Sequence, residues 1–509
     1  MTGILVATVL LPRYHDRPPW CRLTADLRGQ SIQKKQTMNS AKWCGLVAAC
    51  VVTLAAVRGV AGEAGTVGPK RLNLLFLFSD DQRYDTIHAL GNPIIKTPNL
   101  DRLVSSGFVF RNNYVMGSMG GAVCVPSRAM LHSGRTLWHV RTNLQGVPIW
   151  PEVMRRAGYA TFGTGKWHNG PASYARGFTH GAAIFFGGMS DQHRVPIHDF
   201  DPTGKYPAKS RYIGKKFSSE LFADAAIDFL RRHAGQQSLF VYVAFTAPHD
   251  PRQPPPPYDT MYDPQQIPTP KSFMPKHPFD NGELMVRDET LAPFPRTPEI
   301  VRQHIAQYYG MISHMDAQIG RILAALQETG HADDTLVLFA GDNGLALGRH
   351  GLLGKQNLYE HSGRMPLIFA GPGIPHGQSD ALVYLYDLLP TACDLTGLAI
   401  PDGVEGQSLL PIIKGEKQRV RDFVLTAYRE VQRAVREPRW KLIKYHVGGV
   451  KTRQLFDLEN DPDELQNLAE DPAAAEHLKR LEALLKKARS EADDPIDFEN
   501  VGGKPSQKE

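Results

Sequence analysis

Leu72-Asn73-Leu74-Leu75-Phe76-Leu77-Phe78, running straight into Ser79-Asp80-Asp81-Gln82, is the stretch that decides the fold. It has the length of a strand and no polar alternation, as expected of a strand covered on both faces in a parallel-type sheet. The same grammar returns twice. Leu239-Phe240-Val241-Tyr242-Val243-Ala244-Phe245 precedes Ala247-Pro248-His249-Asp250-Pro251, and Thr335-Leu336-Val337-Leu338-Phe339-Ala340 precedes Gly341-Asp342-Asn343-Gly344. Between them, Val301 to Glu328 has apolar residues at helical spacing (Ile305, Ile312, Met315, Ile319, Ile322, Leu326) and stops near Gly330. Strands alternating with helices predict an α/β sheet, with polar residues beyond the strand ends forming the site.

Outward from that frame, Thr97-Pro98-Asn99 starts a helix ending at Gly107, with Thr97 as its cap. Residues 251–297 are proline-rich without periodicity, and read as a long ordered loop near the mouth of the site or else a surface insertion. From Arg421 the texture changes to short strands at Phe423–Tyr428, Gln432–Val435, Trp440–Tyr445 and Gln454–Leu458. Asp471-Pro472 then opens an amphipathic helix with Leu478, Leu481, Leu485 and Ala488 on one line. The expected organisation is a catalytic domain over 68–420, a small α+β subdomain over 421–492 and a frayed polar tail over 493–509.

The formal charge of +6 hints at a polyanion partner. Residues 1–62 hold eight Lys or Arg and two acids, so the rest of the chain is neutral, and net charge supports no nucleic-acid partner. That segment reads as targeting sequence: Met38 to Lys42 a basic start, Trp43 to Val57 apolar, Gly59, Ala61 and Gly62 small. Cleavage near Gly62 is expected, Met38 is a candidate true start, and the apolar run is too short for a membrane span of the mature chain. Cys50 also resembles a lipoprotein box and ranks second. The expected location is exported, periplasmic or secreted. Of five cysteines, Cys21, Cys44 and Cys50 fall in this leader, leaving Cys124 and Cys393. No disulfide framework is available, and a lone retained Cys124 suggests chemistry.

Two oxygen-rich pairs, Asp80-Asp81 and Asp342-Asn343, each follow a buried strand. Either alone reads as a turn cap. Together, on neighbouring strands, they suit Ca²⁺, with Mg²⁺ second. Cys124 stands at or just before a helix beginning around Ser127, where backbone N–H groups favour an anion. Lys166 and His168, two apart on an extended segment, point to one centre.

Cys124-Val125-Pro126-Ser127-Arg128, continuing to Ser133-Gly134-Arg135, resembles the first signature of the formylglycine-dependent, type-I sulfatases, with Ser133 where Thr is usual. Gly158-Tyr159-Ala160-Thr161 through Gly165-Lys166-Trp167-His168 resembles the second. His249, Lys355 and the run Leu455 to Pro462 also match family positions, so the resemblance spans roughly 70–470. It implies an alkaline-phosphatase-like fold with a large mixed sheet flanked by helices, one calcium held by Asp80, Asp81, Cys124, Asp342 and Asn343, and Cys124 oxidised to formylglycine by a converting enzyme. A thiol is a poor choice here because a thiosulfate-type intermediate has no easy release of sulfate, whereas a hydrated aldehyde has a second hydroxyl that expels it. The resemblance assigns Arg128 and Lys166 to hold the nucleophile, His168 as base, His249 as acid on the leaving alcohol and Lys355 to sulfate oxygens. Lys166 and His249 also count among the substrate-binding residues, with Arg349 and His350 as weaker contacts. The implied reaction is sulfate-ester hydrolysis through a sulfo-enzyme intermediate, on a sulfated carbohydrate, with aryl or choline sulfate as other substrates. Alternatives are a phosphonate or phosphate-ester hydrolase, or an inactive carbohydrate-binding relative.

Overall fold

The computed structural model describes residues 71–500 apart from positions 234 and 236. The expected leader, with Met38, Cys50 and the expected cleavage position, lies outside the described residues, as do residues 501–509 of the tail. Nine strands form one mixed sheet. Its order is Arg364–Met365, Phe108–Tyr114, Leu367–Ala370, Thr335–Gly341, Asn73–Ser79, Leu239–Ala244, Ala160–Lys166 and His180–Phe185, with Gly377–Tyr384 also pairing Phe108–Tyr114. The last five strands of that row are mutually parallel, so their carboxyl ends share one edge. Leu367–Ala370 runs against them.

The missing alternation in the first strand has a direct cause. Leu74, Phe76 and Phe78 point into one hydrophobic core and Leu75 and Leu77 into the other, all with no exposure. The helix Pro298–Glu328 covers the second face with Met311, Met315, Ile319 and Ile322. Thr297 caps it by accepting the Ile300 N–H at 3.4 Å. The helix Pro98–Ser106 is capped differently from expectation. Thr97 makes no side-chain cap; Asp316, from the long helix, accepts the N–H groups of Asn99 and Leu100 at 3.1 and 2.7 Å. A charged acceptor from the covering helix both caps and docks, which a hydroxyl cannot do.

The 251–297 segment is an ordered loop bound to the segment that carries Lys355. Glu289 accepts the Leu353 and Gly354 N–H groups, each at 2.8 Å, and Asp288 accepts Gln356 Nε2 at 2.8 Å. A second sheet runs Val450–Asp457, Trp440–Val447, Gln432–Arg436, Val424–Tyr428 and Gly117–Ser118, the last strand coming from the main body. The helix Ala475–Glu491 buries Leu478, Leu481, Leu485 and Ala488. The expected fraying at Asp493 is corrected for its described part. Asp494 accepts Arg433 Nε and Arg489 Nε, both at 2.7 Å, and Phe498 is buried between their guanidiniums. Two guanidiniums pin the polar segment down. Among the described residues, no helix is long and apolar enough to cross a membrane.

Gly165, just before Lys166, has φ +83°, and a Cβ there would sit 1.9 Å from the Ala244 carbonyl oxygen. The backbones of two site-bearing strands touch because this residue has no side chain. Gly165→Ala is expected to destabilise the protein by roughly 2–5 kcal/mol, read from the urea midpoint. An unchanged midpoint would contradict the close approach.

Candidate active site

The parallel strand ends deliver Asp80 and Asp81, Lys166, His249, and Asp342 with Asn343 to one edge of the sheet. Asp81 has φ 65°, an uncommon conformation for a side-chain-bearing residue. That turn aims its N–H at Asp342 Oδ1, 2.9 Å away, tying two strand ends together. The helix Cys124–Ser133 abuts this edge end-on. Ser127 Oγ donates to the Asp342 carbonyl at 2.6 Å. Arg128 donates to Asp342 Oδ2 through Nε and Nη2, at 3.1 and 3.0 Å, and to the Lys166 carbonyl through Nη1 at 2.7 Å. Ser133 Oγ donates to the Ala129 carbonyl within its own helix, so the Thr-to-Ser departure keeps a hydroxyl contact.

Two lysines complete the cluster. Lys166 Nζ lies 2.5 Å from Asp80 Oδ2. Lys355 Nζ donates to both Asp81 oxygens, at 2.6 and 2.8 Å, and reaches Cys124 Sγ at 3.0 Å. Cys124 Sγ donates to Asp81 Oδ1 at 3.4 Å. His249 Nε2 is 3.7 Å from Asp81 Oδ2, and its Nδ1 donates to the Asp250 carbonyl at 2.8 Å. Every one of these side chains is buried.

Three carboxylates thus face three fixed cations in a dry site. Burial, then the Asp342 charge, pushes Asp80 up to about 6 against the pull of Lys166. Burial also raises Asp342, but Arg128 and Lys166 outweigh it and hold that carboxyl well below the usual range. Burial, followed by Asp342 and Asp80, drives the Cys124 thiol well above its ordinary value, so it stays protonated. Burial, then Lys166 and Arg128, presses His168 down to about 2, which keeps its imidazole neutral. Asp80 Oδ1 and Asn343 Oδ1 are buried without any hydrogen-bond partner. Orphaned oxygens at this depth are costly unless something binds them. Ligand atoms of Asp80, Asp81, Cys124 and His249 lie within 4.8 Å of one another. The cluster could hold a metal ion, and its carboxylate and amide oxygens are the donors a hard cation takes.

A model of the sulfatase family matches residues 72–398, and one described as N-sulphoglucosamine sulphohydrolase, C-terminal, matches 348–491. The chain belongs to the sulfatase family. Among relatives, an N-acetylglucosamine-6-O-sulfatase of Bacteroides thetaiotaomicron is 24% identical, over 85% of this chain and 89% of its own. An arylsulfatase of Clostridium perfringens is 29% identical, over 81% and 93%. The fold matches a structure solved in complex with its substrate D-glucosamine-2-N,6-O-disulfate, with TM-score 0.71, 22% identity and coverage of 85% and 100%. It also matches the phosphonate monoester hydrolase of Agrobacterium radiobacter, with TM-score 0.66, 23% identity and coverage of 83% and 96%. The expected alkaline-phosphatase-like architecture is thus the fold of this sulfatase family member.

His168 approaches the centre by another route than alternation. The strand ends at Lys166, His168 has φ 65°, and its ring packs over Gly188, where a Cβ would lie 2.6 Å from Nε2. Two of the expected substrate contacts do not join the cluster. Arg349 Nη2 is held by Asp85 Oδ2 at 3.0 Å. His350 is buried, stacked on Tyr359 at 4.0 Å, with Nε2 donating to the Glu464 carbonyl at 3.0 Å. The turn after Gly348 folds inward instead of towards solvent, because His350 N–H bonds the Ser272 carbonyl at 2.6 Å. Tyr308 was not legible as a site residue; its hydroxyl donates to the Asp81 carbonyl at 2.5 Å from a position inside a helix read only for its apolar stripe. Arg252, Arg287 and Asp288 lie in or beside the proline-rich loop, where no periodicity flags them.

His350 belongs to a buried network bracing the Lys355 segment. Lys441 Nζ donates to Glu360 Oε1 at 3.0 Å and to Glu464 Oε1 at 2.8 Å. Burial, opposed by Lys441, still leaves Glu464 at about 7. Lys441→Met strands the buried Glu464 carboxylate, while Glu360 keeps Arg436 and Arg364, each at 3.6 Å, and the expected loss is roughly 3–5 kcal/mol. The folded pKa of Glu464, already above the unfolded 4.5, rises further, so the folded form binds more protons and its stability falls further as pH rises past that value. Urea midpoints should show a larger loss at pH 8 than at pH 5; an equal loss would contradict the network.

Proposed function

We propose that this sulfatase family member hydrolyses sulfate esters of a sulfated carbohydrate, using a formylglycine made from Cys124 and a bound calcium, in an exported protein. The observation that carries the reading is Cys124 itself. Its sulfur stands at a helix start, against Asp81 and Lys355, beside orphaned metal-type oxygens, and burial keeps it a protonated thiol. Such a thiol is a poor nucleophile, and the position calls for a different group. A hydrated aldehyde there supplies one hydroxyl to attack sulfur and a second whose loss of a proton expels sulfate. Asp80, Asp81, Asp342 and Asn343 would hold calcium, which would supply positive charge to the site.

The chain's own groups do the rest. Arg128 fixes Asp342 and the end of the Lys166 strand, so the lysines converge without further reorganisation. Lys166 and Lys355 are aimed at the edge where sulfate oxygens gain charge. His168 is neutral and has a lone pair available; an incoming anion raises its basicity, so it accepts a proton from the hydroxyl. His249 is held by its Nδ1–H bond to the Asp250 carbonyl, and as the imidazolium it gives its Nε2 proton to the departing alcohol, leaving the neutral ring. The leader pattern over residues 38–62 supports export, and conversion of Cys124 requires a partner enzyme. The named sulfatases among the relatives support sulfate over phosphate, and the N-acetylglucosamine-6-O-sulfatase supports a carbohydrate.

Purified protein should turn over sulfate esters faster than matched phosphate or phosphonate esters; a strong phosphate preference would sink the reading in favour of a phosphonate-type hydrolase. Cys124→Ala should lower kcat by roughly a thousandfold or more. Chelation should lower the melting temperature, and excess Ca²⁺ should restore it better than Mg²⁺, with about 2.7 kcal/mol regained at a hundred times Kd. A melting curve indifferent to chelator and calcium would rule out the resident metal.

A further inference from the structure

Arg252 stands three residues beyond His249 on the loop that leaves the Leu239–Ala244 strand. It is 7% exposed. Among the described residues, no carboxylate oxygen lies within ion-pair distance of its guanidinium, and its Nε is buried with no acceptor. The acids nearby are already taken. Asp250 is engaged by Arg287 through both Nη1 and Nη2, and Asp288 by Arg287 and by Gln356 Nε2. Among the described residues, the hydrogen-bond partner of Arg252 is His304 Nδ1 on the Pro298–Glu328 helix, 3.0 Å from Nη1. Burial, then the charge of Arg252, pushes His304 down to about 4, so the imidazole is neutral and accepts. It orients the guanidinium and cancels none of its charge.

Arginine does not escape burial by losing a proton. A buried cation without a counter-ion is expensive, and a ligand that brings the missing charge recovers that energy. Arg252 follows His249 by three residues on the loop leaving a strand end that carries the site, and the charges of Asp250, Asp81 and Asp288 act on it from beyond contact distance. The three cations of the catalytic cluster are already matched by Asp80, Asp81 and Asp342. Arg287 takes Asp250 and Asp288 by direct contact, so among the described residues the Arg252 guanidinium keeps free donors and touches no carboxylate.

We propose that Arg252 recognises a second anionic group on the substrate, a further sulfate or a carboxylate, so that the preferred substrate carries two negative charges. This rests on the sulfate-ester reading of the neighbouring site. Its planar fork binds an oxyanion through paired hydrogen bonds, and a substrate lacking that group leaves the cation unpaired. Sites built this way discriminate strongly against the analogue without the polar group.

The test is calorimetric binding to the calcium-loaded protein in a Cys124→Ala background, which blocks turnover. The probes are glucosamine 6-O-sulfate, glucosamine 2-N,6-O-disulfate and a 6-O-sulfated disaccharide carrying a uronate. One doubly charged probe should bind at least about tenfold tighter than the 6-O-sulfate, and which one it is identifies sulfate or carboxylate. Arg252→Ala should collapse that ratio to within about twofold, and Arg252→Lys should leave an intermediate value. A general loss of folding weakens all probes together and leaves the ratio intact, so a preserved ratio in Arg252→Ala overturns the proposal. A parent protein without preference for either doubly charged probe overturns it as well. Should the unsubstituted protein turn over no sulfate ester while the ratio still depends on Arg252, the hydrolase reading fails and the anion site stands.

Discussion

The grip of Arg128 on Asp342 is the interaction on which the rest depends. One guanidinium, lying over the Phe78 ring at 4.8 Å, joins the signature helix to the ends of two strands, through the Asp342 carboxylate and the Lys166 carbonyl. Asp342 in turn accepts the Asp81 N–H, so three strand ends and one helix are fixed by a single charged centre. Buried pairs of this kind add little net stability over apolar packing but are strongly destabilising when broken, so they specify geometry more than they stabilise the fold. That is the property a site needs when its reacting groups must be set within fractions of an ångström.

Around this clamp the charges are arranged in matched pairs, with Lys166 on Asp80 and Lys355 on Asp81. The match is incomplete in one respect. Asp80 Oδ1 and Asn343 Oδ1 have no hydrogen-bond partner, and burial pushes the Asp80 carboxyl up in pKa. A cation at these oxygens removes both penalties and leaves the site net positive for an entering sulfate. Outside it, Arg252 repeats the logic at a second point: a buried guanidinium that touches no carboxylate among the described residues is open to an anion from outside.

Much of this was legible in the sequence because the site residues directly follow the strands that place them. Asp80, Asp81, Asp342, Asn343 and His249 all sit within a few residues of unbroken apolar runs, and the parallel pairing of those runs brings them to one edge. Cys124 and Arg128 were legible through a local motif at a helix start. What stayed hidden depends on partners far along the chain. The inward turn of His350 is set by Ser272 and Glu464, the cap of the first helix by Asp316, and the anchoring of Asp494 by Arg433. The isolation of Arg252 follows from which acids Arg287 occupies, and no pattern of spacing records that.

The central claim is that the reacting side chain at position 124 is no longer cysteine. Mass spectrometry of the peptide containing Cys124, taken from protein with measured sulfate-ester turnover, tests it most directly. The account predicts the mass of the aldehyde or its hydrate, in a proportion that tracks specific activity across preparations. Full activity in protein whose Cys124 peptide carries only an unmodified thiol would contradict it.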